Sequence, residues 1–284
     1  MNASHTYPAP AKINLFLHVT GRREDGYHLL QTAFTFIDLA DTLHISMRED
    51  GIIHLENPIP GVAPEQDLTV RAAKLLQAHT GSPLGANIRV DKRIPMGGGL
   101  GGGSSDAATV LMALNHLWQT HIDRETLQTL GLQLGADVPV FIFGHSAFAE
   151  GVGEKLTQID VPTQWYLLAT PSVQVPTAKI FCDPLLTRDT TPIKMPVFRK
   201  NCETTLRNDL QAVACRLYPE VQFAVDCLSQ FGQAIMTGSG ACVFVGFDTE
   251  EQAEAAKASL PTELPACVVC GYNTHPLHSI GQAA

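Results

Sequence analysis

Residues 10–19, PAKINLFLHV, place Ala11, Ile13, Leu15, Leu17 and Val19 on one side and Lys12, Asn14, Phe16 and His18 on the other. That two-residue period predicts a half-buried strand. The turn RREDG at 22–26 leads into YHLLQTAFTFI, a second strand, and DTLHISM reads as a third. With the short run IIHL they form a hairpin-rich N-terminal sheet. DLTVRAAKLLQAHTG (67–81) has helical spacing, a polar start at Asp67 and Gly81 at its end. ANIRVDKRI is a strand that runs into the glycine stretch PMGGGLGGGSS. The next segment, SSDAATVLMALNHLW, puts Ala107, Leu111, Leu114 and Trp118 on one helical stripe, with Ser104 or Ser105 as its cap. Asp123 opens a further helix that ends near Gly135, and ADVPVFIFG follows as a loop and strand.

Around 155–165 the pattern changes, which divides the chain into lobes at 1–155 and 156–284. WYLLATP is a strand, and the Pro- and Thr-rich region 183–200 a long surface connection. RNDLQAVACRLYPEVQFAVDCL reads as two helices. QAIMTGSGACVFVGF is strand, glycine turn and strand, followed by the helix EEQAEAAKASL and the strand ACVVCGY. Strands and helices alternate without a doubly wound rhythm, so the expected class is α+β with two lobes.

Of the 284 residues, 45% are hydrophobic and 17% charged, a globular balance. No apolar run reaches the roughly 20 residues of a membrane helix. The start MNASHTYPAPAK lacks a basic-then-apolar signal pattern, so a cytoplasmic protein without membrane partners is expected. The formal net charge of −9 and the absence of any Lys/Arg run exclude a nucleic-acid footprint. An anionic ligand would therefore need a locally positive site. The seven cysteines, at 182, 202, 215, 227, 242, 267 and 270, include one close pair, Cys267 and Cys270, in an apolar run. Without a second CxxC they read as reduced strand thiols.

Six glycines between Pro95 and Ser105 are costly in any regular element. Gly98-x4-Gly103-Ser104-Ser105 nearly meets the P-loop pattern, but serine stands where the lysine belongs. Gly97, Gly99 and Gly102 fit GxGxxG, which glycine-rich runs contain by chance. A protein-kinase loop would need HRD and DFG downstream, and neither is present. What remains is a glycine loop entering a helix N-terminus, whose free amides and dipole favour phosphate. Phosphoryl transfer to a hydroxyl also profits from a carboxylate that takes its proton. Asp137, in LGADVPVF and held extended before Val-Pro, is the candidate base. Lys12 and Asn14 share one strand face and would point at the same target. Taken singly, each of these residues also has an ordinary structural reading, as a turn cap or a solvated strand face.

PMGGGLGGGSSDAA resembles the second motif of the GHMP kinases, the family of galactokinase, homoserine kinase and mevalonate kinase. PAKINLFLHVTGRREDGYHLLQT resembles the first motif and MTGSGACVF the third. With GADVPVF and AFAEGVGE, the likeness spans nearly the whole chain. It points to members that phosphorylate the 2-hydroxyl of a cytidylylated methylerythritol in the non-mevalonate route to isoprenoids. The resemblance implies an N-terminal domain like domain 2 of ribosomal protein S5 and a ferredoxin-like C-terminal domain. It implies ATP and Mg2+, a small-molecule substrate, and a monomer or homodimer.

It also makes Asp137 the catalytic base and Lys12 its partner. ATP would be held by Pro95, Met96, Gly97, Gly98, Gly99, Leu100, Gly101, Gly102, Gly103, Ser104 and Ser105, with Asp67 and Lys92. The substrate would meet Asn14, Tyr27, His28, Thr177, Phe181, Gly238, Ser239 and Gly240. Tyr27 and Phe181 would sandwich the cytosine while His28 reads its polar edge. Two positions depart from the family's usual asparagines: Asp67, which can accept from an adenine amino group but not donate, and Asp106, which adds charge near the phosphates. Three rivals stay open: a GHMP kinase for mevalonate, homoserine or a sugar, a nucleotide-binding module without turnover, and a Rossmann oxidoreductase.

Overall fold

The structure is a computed structural model that describes residues 3–58, 62–195 and 207–280. Cys202 and the end of the 183–200 connection lie outside the described residues.

The N-terminal sheet is organised by two long strands, β1 (His5–Arg22) and β2 (His28–Arg48), paired antiparallel from His5 opposite Ile45 to Arg22 opposite His28. The other edge of β2 takes three partners in turn. These are β5 (Ala147–Gly151) at Leu30–Phe34, β10 (Ala266–Tyr272) at Phe36–Ile37, and β4 (Gly85–Asp91) at Thr42–Arg48. The short β3 (Ile53–Leu55) lies parallel to β4, and β6 (Lys155–Gln158) pairs with β5. Through β10 the sheet continues into β7 (Trp165–Ala169), β9 (Val243–Phe247) and β8 (Ile235–Met236), giving ten strands among the described residues.

Three expectations about this sheet change. YHLLQTAFTFI and DTLHISM are one strand: Pro10 pairs with Ala40 and Ala11 with Ile37, so Asp38 and Leu39 are absorbed as a bulge without a turn. β1 is buried on both faces; Lys12, Asn14 and His18 are each 2% exposed and Phe16 is 0%. A helix packs against it, and Ala11 and Ile13 are enclosed with Tyr166, Leu168 and Phe244 of the C-terminal strands. ADVPVFIFG is not a strand. It forms α4 (Val138–Phe143), with Pro139 in the first turn, where a missing N–H costs nothing, and Gly144 closing it in left-handed conformation. Asp137 accordingly lies in the helical region at φ −87°, not extended.

α1 (Leu68–Thr80) begins and ends as its sequence indicates. Asp67 accepts from Thr69 N at 2.8 Å, and Gly81 turns the chain at φ 66°. α2 (Gly102–Leu117) starts inside the glycine run; Gly101 is its N-cap, and neither serine caps it. Two glycines and two serines make a poor first turn, at roughly 1 kcal/mol per glycine. Packing outweighs this: Val110, Leu111 and Leu114 are fully buried, each stabilising by about 1.5–3 kcal/mol. α3 (Arg124–Leu134), capped by Asp123, completes the helical layer with α1, α2 and α4. A second core joins α5 (Thr177–Phe181), α6 (Gln211–Leu217) and α7 (Pro219–Leu228) to β7 and β9, and α8 (Glu250–Ala258) packs on β10. No helix among the described residues is long and apolar enough to cross a membrane.

Candidate active site

The glycine stretch, β1, the start of α4 and the 237–240 turn enclose a cleft of about 580 Å³, ample for a small-molecule ligand. Pro95 to Ser104 all line it. The first intrahelical bond of α2 runs from Ser105 N to Gly101 O at 2.8 Å. The amides of Gly102, Gly103 and Ser104 precede that bond, and no side chain caps them. They are free donors at the positive end of a sixteen-residue helix. Ser105 is fully buried behind this mouth and does not line the cleft.

The glycines also make room for protein. A Cβ on Gly99 would stand 2.1 Å from Thr237 O, at a φ of 76°. One on Gly101 would stand 3.1 Å from Lys12 Cε. The loop is further tied to the third motif by Ala241 N to Gly97 O at 3.2 Å and Cys242 N to Gly98 O at 3.1 Å.

Against this loop the fold brings together the two charged groups singled out in the sequence. Lys12 Nζ lies 3.2 Å from Asp137 Oδ2; the lysine side chain is 2% exposed and the aspartate 37%. Lys12 also donates to Asn14 Oδ1 at 2.6 Å and Gly99 O at 2.9 Å. An ammonium has three N–H donors, and here three acceptors surround it. Asn14 is fixed in turn: its Nδ2 donates to Thr32 Oγ1 at 2.8 Å and its backbone N to Thr237 Oγ1 at 3.0 Å. Thr32 and Thr237 lie within the first and third motifs, but no role is read for them from the sequence.

Lys92 sits beneath the cradle between two buried carboxylates, 2.5 Å from Asp41 Oδ2 and 2.7 Å from Asp106 Oδ2. Burial alone would lower the Lys92 pKa, but the charges and hydrogen bonds of Asp106 and Asp41 outweigh it and raise the value. Asp106 is pushed up to about 7, mainly by burial. The folded state therefore holds its proton more tightly than an unfolded chain titrating at 3.8. Its contribution to stability is complete below 3.8 and is lost as pH rises to about 7. Asp106→Asn is expected to melt higher than wild type at pH 8, with the gap closing as the solution is acidified towards pH 4. A gap independent of pH in thermal melts contradicts a raised Asp106.

Asp67 lines the cleft, but its Oδ1 is engaged by Thr69 N and Thr69 Oγ1. At the opposite end Thr177 and Ser239 share a hydroxyl contact at 2.7 Å, and Gly238 and Gly240 line the wall beside them. Phe181 lines the cleft; Tyr27 and His28 do not. The His28 ring lies 5.0 Å from that of Phe181, while Tyr27 is 67% exposed on the preceding turn. Arg188, unremarked in the sequence, joins this corner through His28 Nε2 at 3.1 Å.

Among the described residues no three His, Cys, Asp or Glu side chains converge to hold a metal.

The profile of the GHMP kinases N terminal domain matches residues 67–145, and that of the GHMP kinases C terminal matches residues 195–266. The 4-diphosphocytidyl-2-C-methyl-D-erythritol kinase of Aromatoleum aromaticum is 58% identical, over 95% of this chain and 94% of its own. That of Thiobacillus denitrificans is 56% identical, over 97% and 98%. A crystal structure of 4-(cytidine 5'-diphospho)-2C-methyl-D-erythritol kinase superimposes with a TM-score of 0.81 at 34% identity, covering 94% of this chain and 99% of that one. The Methanococcus jannaschii mevalonate kinase shares the fold, with a TM-score of 0.68 at 17% identity over 96% of this chain and 99% of its own. The expected α+β kinase architecture is thus present, and the chain belongs to the GHMP kinases, within the family of the 4-diphosphocytidyl-2-C-methyl-D-erythritol kinases.

Proposed function

We propose that this chain transfers the γ-phosphoryl group of ATP to the 2-hydroxyl of 4-diphosphocytidyl-2-C-methyl-D-erythritol, giving the 2-phosphate and ADP in the non-mevalonate route to isoprenoid precursors. The observation that carries the reading is the Lys12–Asp137 contact of 3.2 Å beside the uncapped mouth of α2. Phosphoryl transfer asks a protein chiefly for position and charge neutralisation. The amides of Gly102, Gly103 and Ser104 receive phosphate oxygens, and the loop from Gly97 aims the terminal group at the acid and amine.

In the transfer, Asp137 accepts the proton of the 2-hydroxyl, whose oxygen forms the new bond to phosphorus. The bond from phosphorus to the β,γ-bridging oxygen breaks, and its electron pair leaves with ADP. Lys12, 3.2 Å from Asp137 Oδ2, holds that carboxylate in place beside β1. Its field also offsets charge on the moving group. A magnesium ion carried by the nucleotide would neutralise further charge, and the Ser104 hydroxyl, which lines the cleft in the first turn of α2, would be the protein oxygen to hold it.

The acceptor is read from the far end of the cleft. Tyr27 offers an uncovered aromatic face, and Phe181 lies at the wall beside His28. Mevalonate, homoserine and galactose have no base to fill such a corner. A module that binds nucleotide without turnover has no use for a buried lysine paired to a cleft-facing acid.

Purified protein assayed for ADP release should turn over the cytidylyl acceptor and leave mevalonate, homoserine and galactose essentially untouched. Equal turnover of mevalonate moves the chain to another GHMP activity, and ATP binding without turnover of any acceptor supports the binding module.

A further inference from the structure

The base-side corner is built around a residue with no place in the mechanism above. Arg188 lies in the connection after α5, in a stretch without helix or strand. Its Nε donates to His28 Nε2 at 3.1 Å and its Nη1 to Leu186 O at 3.1 Å. Its Nη2 donates to Phe181 O at 3.0 Å and to Asp183 O at 2.7 Å. The side chain is half-buried, and these four bonds join the connection to the first residue of β2 and the last of α5. Two residues of the base corner, His28 and Phe181, are therefore tied to one guanidinium.

A guanidinium has five N–H donors and no acceptor. The imidazole nitrogen facing it must present a lone pair. His28 is thereby neutral, with its proton on Nδ1, because the partner of one ring nitrogen decides the state of the other. The electrostatics agree: burial first, then the charges of Arg188 and of Arg22 at the end of β1, lower the His28 pKa. The Asp183 carboxylate is engaged by Arg216 at 2.5 Å and feels the charge of Arg188 as well.

We propose that Arg188 is the positioning residue for base selection. It fixes His28 as an Nδ1–H donor set against Phe181, so the corner favours a pyrimidine that presents acceptors at N3 and O2, as cytosine does, over one that presents an N3–H, as uracil does. Protein acceptors take up four of its five donors, so Arg188 acts by holding His28 and Phe181 in place. A lysine at 188 supplies one compact donor site and cannot span four acceptors. The assignment rests on the reading of the acceptor as a cytidylyl compound.

Long-range proton–nitrogen NMR of the ligand-free, full-length wild type tests the tautomer without any variant. His28 is expected to show its lone pair on Nε2 and its proton on Nδ1 at pH 8, and a proton on Nε2 overturns the proposal. Kinetics then test selection, with the cytidylyl acceptor and its uridylyl analogue as probes. In Arg188→Ala the KM for the cytidylyl acceptor should rise about tenfold, the loss of one well-placed hydrogen bond. The preference over the uridylyl analogue should fall by a similar factor, with kcat and the KM for ATP within twofold of wild type. Arg188→Lys should fall between. Unchanged acceptor KM in both variants overturns the proposal alone, as does a loss confined to kcat. A wild type that turns over neither acceptor removes the reading of the substrate, and this assignment with it.

Discussion

Asp137→Asn is expected to lower kcat by about two to four orders of magnitude, the usual worth of a positioned general base. The dissociation constant for ATP should change little. The exchange preserves shape, and an asparagine oxygen still accepts from Lys12 Nζ, which lies 3.2 Å from Asp137 Oδ2. What is lost is an atom that takes up a proton as the acceptor oxygen attacks phosphorus. The proposed phosphate donors are backbone amides in the first turn of α2, which the exchange leaves in place. Steady-state kinetics at saturating ATP and acceptor, with nucleotide affinity from calorimetry, separate the two effects. Turnover within threefold of wild type would remove Asp137 from the chemistry. A parallel loss of ATP affinity would instead make it a nucleotide contact.

The same geometry explains why Lys12 is harder to probe cleanly. It is buried, its ammonium meets Asn14 Oδ1, Gly99 O and Asp137 together, and it lies 5.4 Å from the Phe34 ring centre. Removing it leaves Asn14 Oδ1 and Gly99 O to share the single Thr237 hydroxyl, so one of them loses its donor, and a buried orphan costs about 1–3 kcal/mol. Loss of activity there mixes chemistry with loss of the fold. Asp137, 37% exposed and joined to the network at one oxygen, is the cleaner position.

Much of the fold is legible because its signals are local. Asp67 and Gly81 bound α1 in the structure as they do in the sequence, and Asp123 caps α3 through Thr126 N at 2.7 Å. α4 is illegible for a physical reason: its residues Val138 to Ile142 are all buried, so a short helix shows no polar face and reads as a buried strand. The long β2 is misread because Asp38 and Leu39 look like a turn but sit in a bulge opposite Pro10 and Ala11.

In the site, the glycine mouth of α2 is visible from composition alone. The pairing of Lys12 with Asp137 is not, since periodicity says nothing of contacts between distant segments; the family resemblance supplied it. Thr237, Thr32 and Arg188 were missed because each acts on atoms that only folding brings near; the two threonines lie within the quoted motifs, but nothing in the spacing says that they hold Asn14.

The glycine run itself answers to two demands that substitution can separate. Gly99→Ala places a methyl group 2.1 Å from the backbone oxygen of Thr237 at a φ of 76°, so neither contact partner nor backbone can yield cheaply. The left-handed conformation costs about 1–2 kcal/mol and the overpacking about 1–3 kcal/mol. A loss of roughly 3 kcal/mol, or about 6–10 °C in Tm, is expected. Gly103→Ala differs: its methyl would meet Leu68 Cδ1 at 3.4 Å, an ordinary contact, within the first turn of α2. Alanine is there the better helix former by about 1 kcal/mol, so its Tm should hold or rise. If the run were bare only to admit phosphate, both ligand-free variants would melt with wild type. If it were a uniformly strained loop, both would fall together. A fall at position 99 alone assigns that glycine to the seam between the loop and the third motif, and leaves the amide donors at 102–104 to the ligand.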